Sequence, residues 1–305
     1  MRVAAIDCGT NSIRLLVADV VDRRLSDVSR RMEIVRLGQG VDRTGRIDPA
    51  ALQRTLSALA DYAAEIRRLD VERVRMVATS ATRDAKNRGD FVDGVRGLLG
   101  VDPEIVTGDE EATLSFLGAT RDLSAGAPYL VVDIGGGSTE FVLGADTVIA
   151  SVSIDIGCVR MTERHLRDDP PTPQQIEAAD ADIDGALEAV WAVVPVMQAR
   201  TLVGLAGSVT TVAAMAMQLP AYDAGRIHHS RINRLDVLQV SERLLGMSHD
   251  ERAALPFMHP GRVDVIAAGA MVLARLMRRF SFSELLVSEH DILDGIAWAL
   301  VDESG

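Results

Sequence analysis

Two similar α/β domains, each carrying one phosphate-binding turn, are the fold class this sequence predicts. The first observation is Leu130-Val131-Val132-Asp133-Ile134-Gly135-Gly136-Gly137-Ser138-Thr139-Glu140-Phe141, an apolar run that breaks into glycines between two carboxylates. The second is an echo 126 residues earlier, where Val3-Ala4-Ala5-Ile6 leads into Asp7-Cys8-Gly9-Thr10-Asn11-Ser12 and then Ile13-Arg14-Leu15-Leu16-Val17. Both spell apolar run, Asp-x-Gly-x-x-Ser, apolar run, and such self-similarity marks a repeated unit. The third is the way short strand-like runs alternate with longer segments of helical spacing.

Each turn has a chemistry. Glycines open backbone angles closed to other residues and remove side chains that would block a ligand. Successive exposed N–H groups make an anion cradle, for which phosphate is the usual guest. Gly9, Thr10, Asn11 and Ser12 in one copy, and Gly135, Gly136, Gly137 and Ser138 in the other, are the phosphate-binding candidates. Asp133 and Glu140 flank the second turn, and carboxylate oxygens suit a hard cation such as Mg²⁺. A structural hairpin closed by a glycine turn is the competing reading, disfavoured because it needs fewer glycines than three.

The bulk properties bound the rest. A length of 305 residues with 48% hydrophobic residues accommodates two cores. The two cysteines, Cys8 and Cys158, argue against a disulfide framework and fit a reducing compartment. Cys8 reads as a small buried thiol rather than a nucleophile. No early apolar run is long enough for a membrane span or resembles a signal peptide, so a cytoplasmic location is expected. The six histidines show no zinc-type spacing with cysteine. A net charge of −12 with 4% aromatics disfavours nucleic-acid binding, while leaving room for a local basic cleft. Lys86 is the only lysine; the remaining basic residues are arginines, whose planar fork suits phosphate.

In chain order, residues 31–37 read as a third strand. Asp48-Pro49 opens a helix running to about Leu69, with Asp as cap and Pro in the first turn. The strand 74–78 ends at Thr79-Ser80-Ala81-Thr82-Arg83, and ligands of open α/β sheets collect at such carboxyl ends. Arg83 therefore stands where an anion would sit, or in a surface ion pair. Residues 104–106 form a short strand and 110–119 a helix, with Asp109 as its cap and Glu110 and Glu111 complementing its positive end. Arg121 to Pro128 is turn-rich and divides the domains, about 1–124 and 125–290. Beyond it come a strand at 147–152, a break at 168–173 with Thr172-Pro173 opening a helix, and a strand at 201–205. A glycine turn at Gly207-Ser208 then precedes a helix from Thr210. Arg226 to Arg231 is the most basic short run and reads as a solvated loop or a polyanion contact. Residues 261–280 form a long helix, 285–288 the last strand, and 291–301 a final helix.

These motifs in this order resemble the exopolyphosphatase/guanosine pentaphosphate phosphohydrolase (Ppx/GppA) family. Thr79 to Ala85, Gly108-Asp109-Glu110-Glu111-Ala112 and Asp133 to Glu140 carry the resemblance, which spans Met1 to about Gly295. It implies two duplicated actin-like domains, of the ribonuclease H-like fold shared with Hsp70 and sugar kinases, with a cleft between them. It also implies that a C-terminal helix, about 291–305, packs back on the first domain, and that the chain is the two-domain core of longer relatives.

The implied activity is removal of the terminal phosphoryl group of inorganic polyphosphate by water. Glu111, at the family's catalytic glutamate position 22 residues before Asp133, becomes the base, Glu110 stays structural, and Arg83 becomes a phosphate clamp. Asp133 and Glu140, with Asp7, would hold Mg²⁺, with Mn²⁺ as an alternative. The same site would serve the 5′ phosphate of pppGpp, and pppGpp, ppGpp or other nucleotides are alternative partners. A homodimer is implied by the resemblance alone. One departure stands out: Leu293-Asp294-Gly295 lacks the basic residue expected before the acid-glycine pair. The readings from other classes are an actin- or Hsp70-like nucleotide switch and a sugar-type kinase.

Overall fold

The first apolar run forms β1 (Arg2–Cys8), which turns straight back as β2 (Ser12–Val21) and again as β3 (Arg24–Ile34). The third strand thus lies earlier than the 31–37 expected. Helix Pro49–Arg68 follows, then β4 (Arg73–Ala78) and, after two further helices, Ser80–Asp84 and Arg88–Leu99, β5 (Glu104–Ile105) and helix Gly108–Thr120. This computed structural model describes residues 1–21 and 24–302. Contacts divide the chain into two compact units, Met1–Arg121 with Asp291–Gly305, and Asp122–His290.

Among the described residues the first unit holds a five-stranded sheet in the order β3-β2-β1-β4-β5. The three leading strands are antiparallel, and β4 and β5 run parallel to β1. Side chains alternate across a strand, so β1 feeds two cores. Ala4, Ile6 and Cys8 join a cluster with Leu59 and Tyr62 of Pro49–Arg68 and Phe91 and Val95 of Arg88–Leu99. Ala5 and Leu16 face the other way, against Leu114 of Gly108–Thr120 and Ile292 and Ile296 of the C-terminal helix Ile292–Asp302. Asp7 shares the parity of Ala5 and so emerges on this second face.

The second unit repeats the plan. Its strands are β6 (Tyr129–Ile134), β7 (Thr139–Gly144), β8 (Val148–Ile154), β9 (Thr201–Leu205), β10 (Arg231–Asn233) and β11 (Glu284–Val287). The order β8-β7-β6-β9-β11 has the same directions as the first sheet, with β10 added antiparallel at the edge. The ribonuclease H-like α/β architecture is therefore present twice. Leu130, Val132, Ile134, Phe141 and Leu143 pack into one large cluster with helices Pro173–Val193 and Ile266–Arg279. Asp133 and Glu140 have the opposite parity and leave the sheet on its other face.

Local chemistry fixes the helix starts. Asp48 Oδ1 accepts from the N–H groups of Ala50 and Ala51, and Pro49 occupies the first turn, where it forfeits no hydrogen bond. Thr172 and Gln175 form a capping box. So do Thr107 and Glu110, which makes Thr107, not Asp109, the cap of Gly108–Thr120 and gives Glu110 a structural task. Two helices begin elsewhere than expected. The one after β9 starts at Ala206 rather than Thr210, so Gly207 and Ser208 lie in its first turn. The helix expected over 261–280 is Ile266–Arg279, preceded by a 3₁₀ turn at Pro260–Arg262 that places Arg262 and Asp264 outside it. Among the described residues no helix is long and apolar enough to cross a membrane.

Candidate active site

Both candidate phosphate loops are the turns of β-hairpins, so a hairpin and an anion cradle can be one object rather than rivals. In the second unit Gly135 N–H donates to Ser138 O at 3.1 Å and closes the turn. The turn's carbonyls are all drawn to one side. Gly135 O accepts from Cys158 N–H at 2.9 Å, and Gly136 O from Val159 and Arg160 N–H at 2.9 and 3.1 Å. Gly137 O accepts from Arg160 Nε at 2.6 Å. Because a trans peptide holds each N–H opposite the preceding carbonyl, the amides of Gly136, Gly137 and Ser138 turn to the other side. Helix Cys158–Arg164 sets this geometry, and Gly157 lies so close to Gly136 that a methyl group there would overlap its backbone. No acceptor among the described residues takes the Gly136 or Gly137 N–H.

The first unit uses the same device with different partners. Gly9 N–H donates to Ser12 O at 2.9 Å. Thr10 O accepts from Gly38 N–H at 2.9 Å, and Asn11 O from Val35 and Arg36 N–H at 3.0 and 2.9 Å. The amides of Asn11 and Ser12 therefore face away from the segment 35–38. The Thr10 hydroxyl bonds that of Ser80 at 2.9 Å, tying the loop to the carboxyl end of β4.

The acids differ between the copies. Asp133 and Glu140 are register partners across β6 and β7, and both are buried. Side chains of directly opposed residues share a face of the sheet, so the two carboxylates stand together beside the turn. Glu140 Oε1 accepts from the Ser153 hydroxyl at 2.7 Å. The matching register pair in β1 and β2 is Asp7 and Arg14. Arg14 donates Nε and Nη2 to Asp7 Oδ2, at 2.9 and 2.6 Å, and Nη1 to Asp291 Oδ2. The other oxygen, Asp7 Oδ1, is buried without a hydrogen-bond partner. Burial pushes the Asp7 carboxyl above its ordinary range, against the pull of Arg14.

Arg83 and Glu111 are brought together. Arg83 Nη1 donates to Glu111 Oε2 at 3.1 Å and to Val106 O at 2.9 Å, so the guanidinium fixes the orientation of a largely buried carboxylate. Helix Gly108–Thr120 carries Glu111 on the sheet face from which Asp7 emerges.

Other residues singled out in the sequence are placed in packing roles. Gly207 lies under the Arg262 guanidinium, which donates to Gly207 O at 3.3 Å and would collide with any side chain there. Arg231 pairs with Glu284, and His228 stacks on His229 at a ring-centroid distance of 3.7 Å and meets the tilted His290 ring at 4.5 Å. The basic run 226–231 is thus largely engaged within its own unit. Asp294, in the pair lacking its expected base, accepts from Arg30 Nη2 at 2.5 Å, and Asp291 three residues earlier takes Arg14. Sequence reasoning gave Arg14 and Asp291 no role. Overlaying the two repeats would have found Arg14, since it occupies the place of Glu140.

Among the described residues no group of three or more histidines, cysteines or acids is gathered to hold a metal. The donor set of Asp133 with Glu140 suits a cation that keeps much of its own water and shares the remaining positions with phosphate, as Mg²⁺ does. In the first unit, Asp7 Oδ1 is a buried oxygen without a hydrogen-bond partner.

Residues 16–303 match the Ppx/GppA phosphatase family. The chain belongs to that family. The Ppx/GppA match begins beyond the first loop, but similarity to individual relatives includes it. Exopolyphosphatase 2 of Mycobacterium tuberculosis is 55% identical over 313 aligned positions, covering 98% of each chain. The crystal structure of an exopolyphosphatase-like protein superposes with a TM-score of 0.95 at 43% identity, covering 98% of this chain and 97% of that one. Guanosine-5′-triphosphate,3′-diphosphate pyrophosphatase of Vibrio atlanticus is 28% identical over 98% of this chain, which spans 59% of that protein.

Proposed function

We propose that this protein is an exopolyphosphatase that hydrolyses the terminal phosphoanhydride of inorganic polyphosphate. The observation that carries the reading is the triple-glycine turn, whose three carbonyls are drawn back onto Cys158, Val159 and Arg160 so that its amides face outward beside Asp133 and Glu140. Such a cradle favours the terminal phosphoryl oxygens, and the charge they share in the transition state is what catalysis must stabilise. The amides of Gly9 to Ser12 would hold non-terminal phosphoryl oxygens in the same way. Arg83 neutralises charge at the carboxyl end of β4 while steadying Glu111. Glu111 takes a proton from water as its oxygen forms a bond to the terminal phosphorus. The bridging P–O bond breaks, releasing orthophosphate and a polymer one unit shorter. Mg²⁺ held by Asp133 and Glu140 would supply charge neutralisation to the phosphoryl oxygens, and the Asp7 carboxylate is the first unit's candidate ligand.

The name and 55% identity of the mycobacterial relative support polyphosphate as the substrate. The Vibrio relative supports a second reading, removal of the 5′ phosphate of pppGpp at the same site by the same chemistry. Phosphate release from short polyphosphate, long polyphosphate, pppGpp and ATP, with and without Mg²⁺, tests both. The proposal expects polyphosphate to give the highest kcat/KM and chelation to abolish release. A preference for pppGpp would replace it with the second reading, and release unaffected by chelation would remove the metal from the account.

A further inference from the structure

The first unit carries a basic feature that the hydrolytic site does not use. Two loops, 40–48 and 85–88, are clasped together: Lys86 N–H donates to Gly45 O at 2.9 Å, Asn87 Oδ1 accepts from Ile47 N–H at 2.8 Å, and Asn87 Nδ2 donates to Ile47 O at 3.1 Å. Gly40 and Gly45 hold left-handed angles, φ 73° and 65°, that let the chain turn on both sides of the short helix Val41–Thr44. The clasp gathers Arg43, Arg46 and Lys86, the only lysine of the chain. Lys86 lies over Gly45, its Nζ 3.8 Å from where a Cβ would stand. Arg43 and Arg46 line a cavity of about 590 Å³ with Gln39, Thr44 and Asp48.

Three properties make this a binding surface. All three cations are exposed, and among the described residues none forms an ion pair. The acid in the cavity wall, Asp48, is already engaged by two amides of the helix it caps. The segment that leads into the cluster is also tied to the first loop, because Gly38 N–H holds Thr10 O and Gly38 packs so tightly on Thr10 that no side chain fits. Arg43 follows Gly38 by five residues, which limits the separation of their Cα atoms to roughly 18 Å.

We infer that Arg43, Arg46 and Lys86 form a second subsite that holds the distal part of a linear polyphosphate chain, beyond the units held by the Asp7–Ser12 loop. The inference rests on polyphosphate being the substrate and adds how the chain favours longer polymers. In a protein of net charge −12, a local cluster of unpaired cations concentrates a polyanion that the whole molecule would otherwise repel. Binding at such a surface releases counterions and weakens steeply with salt.

The test is equilibrium binding of long-chain polyphosphate and of tripolyphosphate to the intact protein and to Arg43→Gln/Arg46→Gln/Lys86→Gln, across a salt series. A control of equal charge change, Arg67→Gln/Arg68→Gln/Arg96→Gln, places the substitutions elsewhere on the unit, with Arg67 and Arg68 at the far end of a helix roughly 30 Å long. The first variant is expected to bind long polyphosphate about tenfold more weakly with a shallower salt slope, and tripolyphosphate within about twofold of the parent. Equal losses for both polymers, an equal loss in the control, or no measurable binding of long polyphosphate by the parent overturns the inference. Length-selective loss in a parent that binds but releases no phosphate would sustain the subsite while defeating the hydrolytic reading.

Discussion

Asp133 lies directly opposite Glu140 across the second hairpin, where the corresponding pair of the first hairpin is Asp7 and Arg14. One duplicated plan thus yields a self-neutralised turn and a turn with two acids on one face. Like charges directly opposed on a sheet cost stability, which a bound cation relieves. Glu140→Gln should therefore raise the stability of metal-free protein by roughly 0.2–1 kcal/mol and abolish the stabilisation that Mg²⁺ gives the parent. Thermal melts with and without Mg²⁺ report both quantities. An equal Mg²⁺-induced shift in parent and variant would place the cation elsewhere.

Arg14 holds two buried carboxylates, Asp7 and Asp291, the second 277 residues away. Removing the guanidinium strands both charges, so Arg14→Met should cost about 3–5 kcal/mol. Adding Asp7→Asn and Asp291→Asn to that variant should recover much of the loss. The amide carbonyl that Asp291→Asn introduces can still accept the Leu293 N–H, as the carboxylate does at the start of the C-terminal helix. Urea unfolding of the single and triple variants measures the difference. A near-neutral Arg14→Met would mean the network contributes nothing to the first unit.

Gly118 and Gly295 mark the crossing of Gly108–Thr120 with Ile292–Asp302. A methyl at Gly118 would overlap the Asp291 carbonyl, and one at Gly295 the Leu114 carbonyl. Either Gly→Ala change should destabilise by about 1–3 kcal/mol. Gly97, inside Arg88–Leu99, has open space where its Cβ would stand, so Gly97→Ala should instead stabilise by about 0.4–1 kcal/mol. Chemical denaturation of the three variants gives the opposite signs directly.

The Cys8 and Cys158 thiols are both raised by burial, Cys8 further by the neighbouring Asp7. Neither should react with a disulfide reagent while the protein is folded, and both should react in urea. Rapid labelling of Cys8 in native protein would contradict its packing beside the first turn.

What the sequence revealed was whatever local pattern encodes. Asp48-Pro49 and Thr172-Pro173 announce helix starts because a cap and its proline act within one turn. Asp7 and Asp133 announce loops because a strand, an acid and glycine fall in consecutive positions. Hairpin and cradle are not exclusive alternatives, since the hairpin's N–H groups are turned outward by a segment over twenty residues downstream. The helix before β11 begins later than its apolar spacing suggests, because Val263 is buried like a helix residue yet follows a 3₁₀ turn at Pro260–Arg262, whose period of three differs from that of the helix starting at Ile266. The link from Arg14 to Asp291 and the meeting of Lys86 with Gly45 depend on register and clasped loops, which no local window contains.

Glu111 is the residue on which the hydrolytic account turns, and exchanging its carboxylate for an amide keeps its shape while removing the proton acceptor. Phosphate release from polyphosphate by Glu111→Gln, measured beside polyphosphate binding by the same variant, is the most direct test. The account predicts that kcat falls about 10²- to 10⁴-fold while binding stays within about threefold of the parent. Turnover that survives the exchange, or binding lost in proportion to turnover, would contradict it.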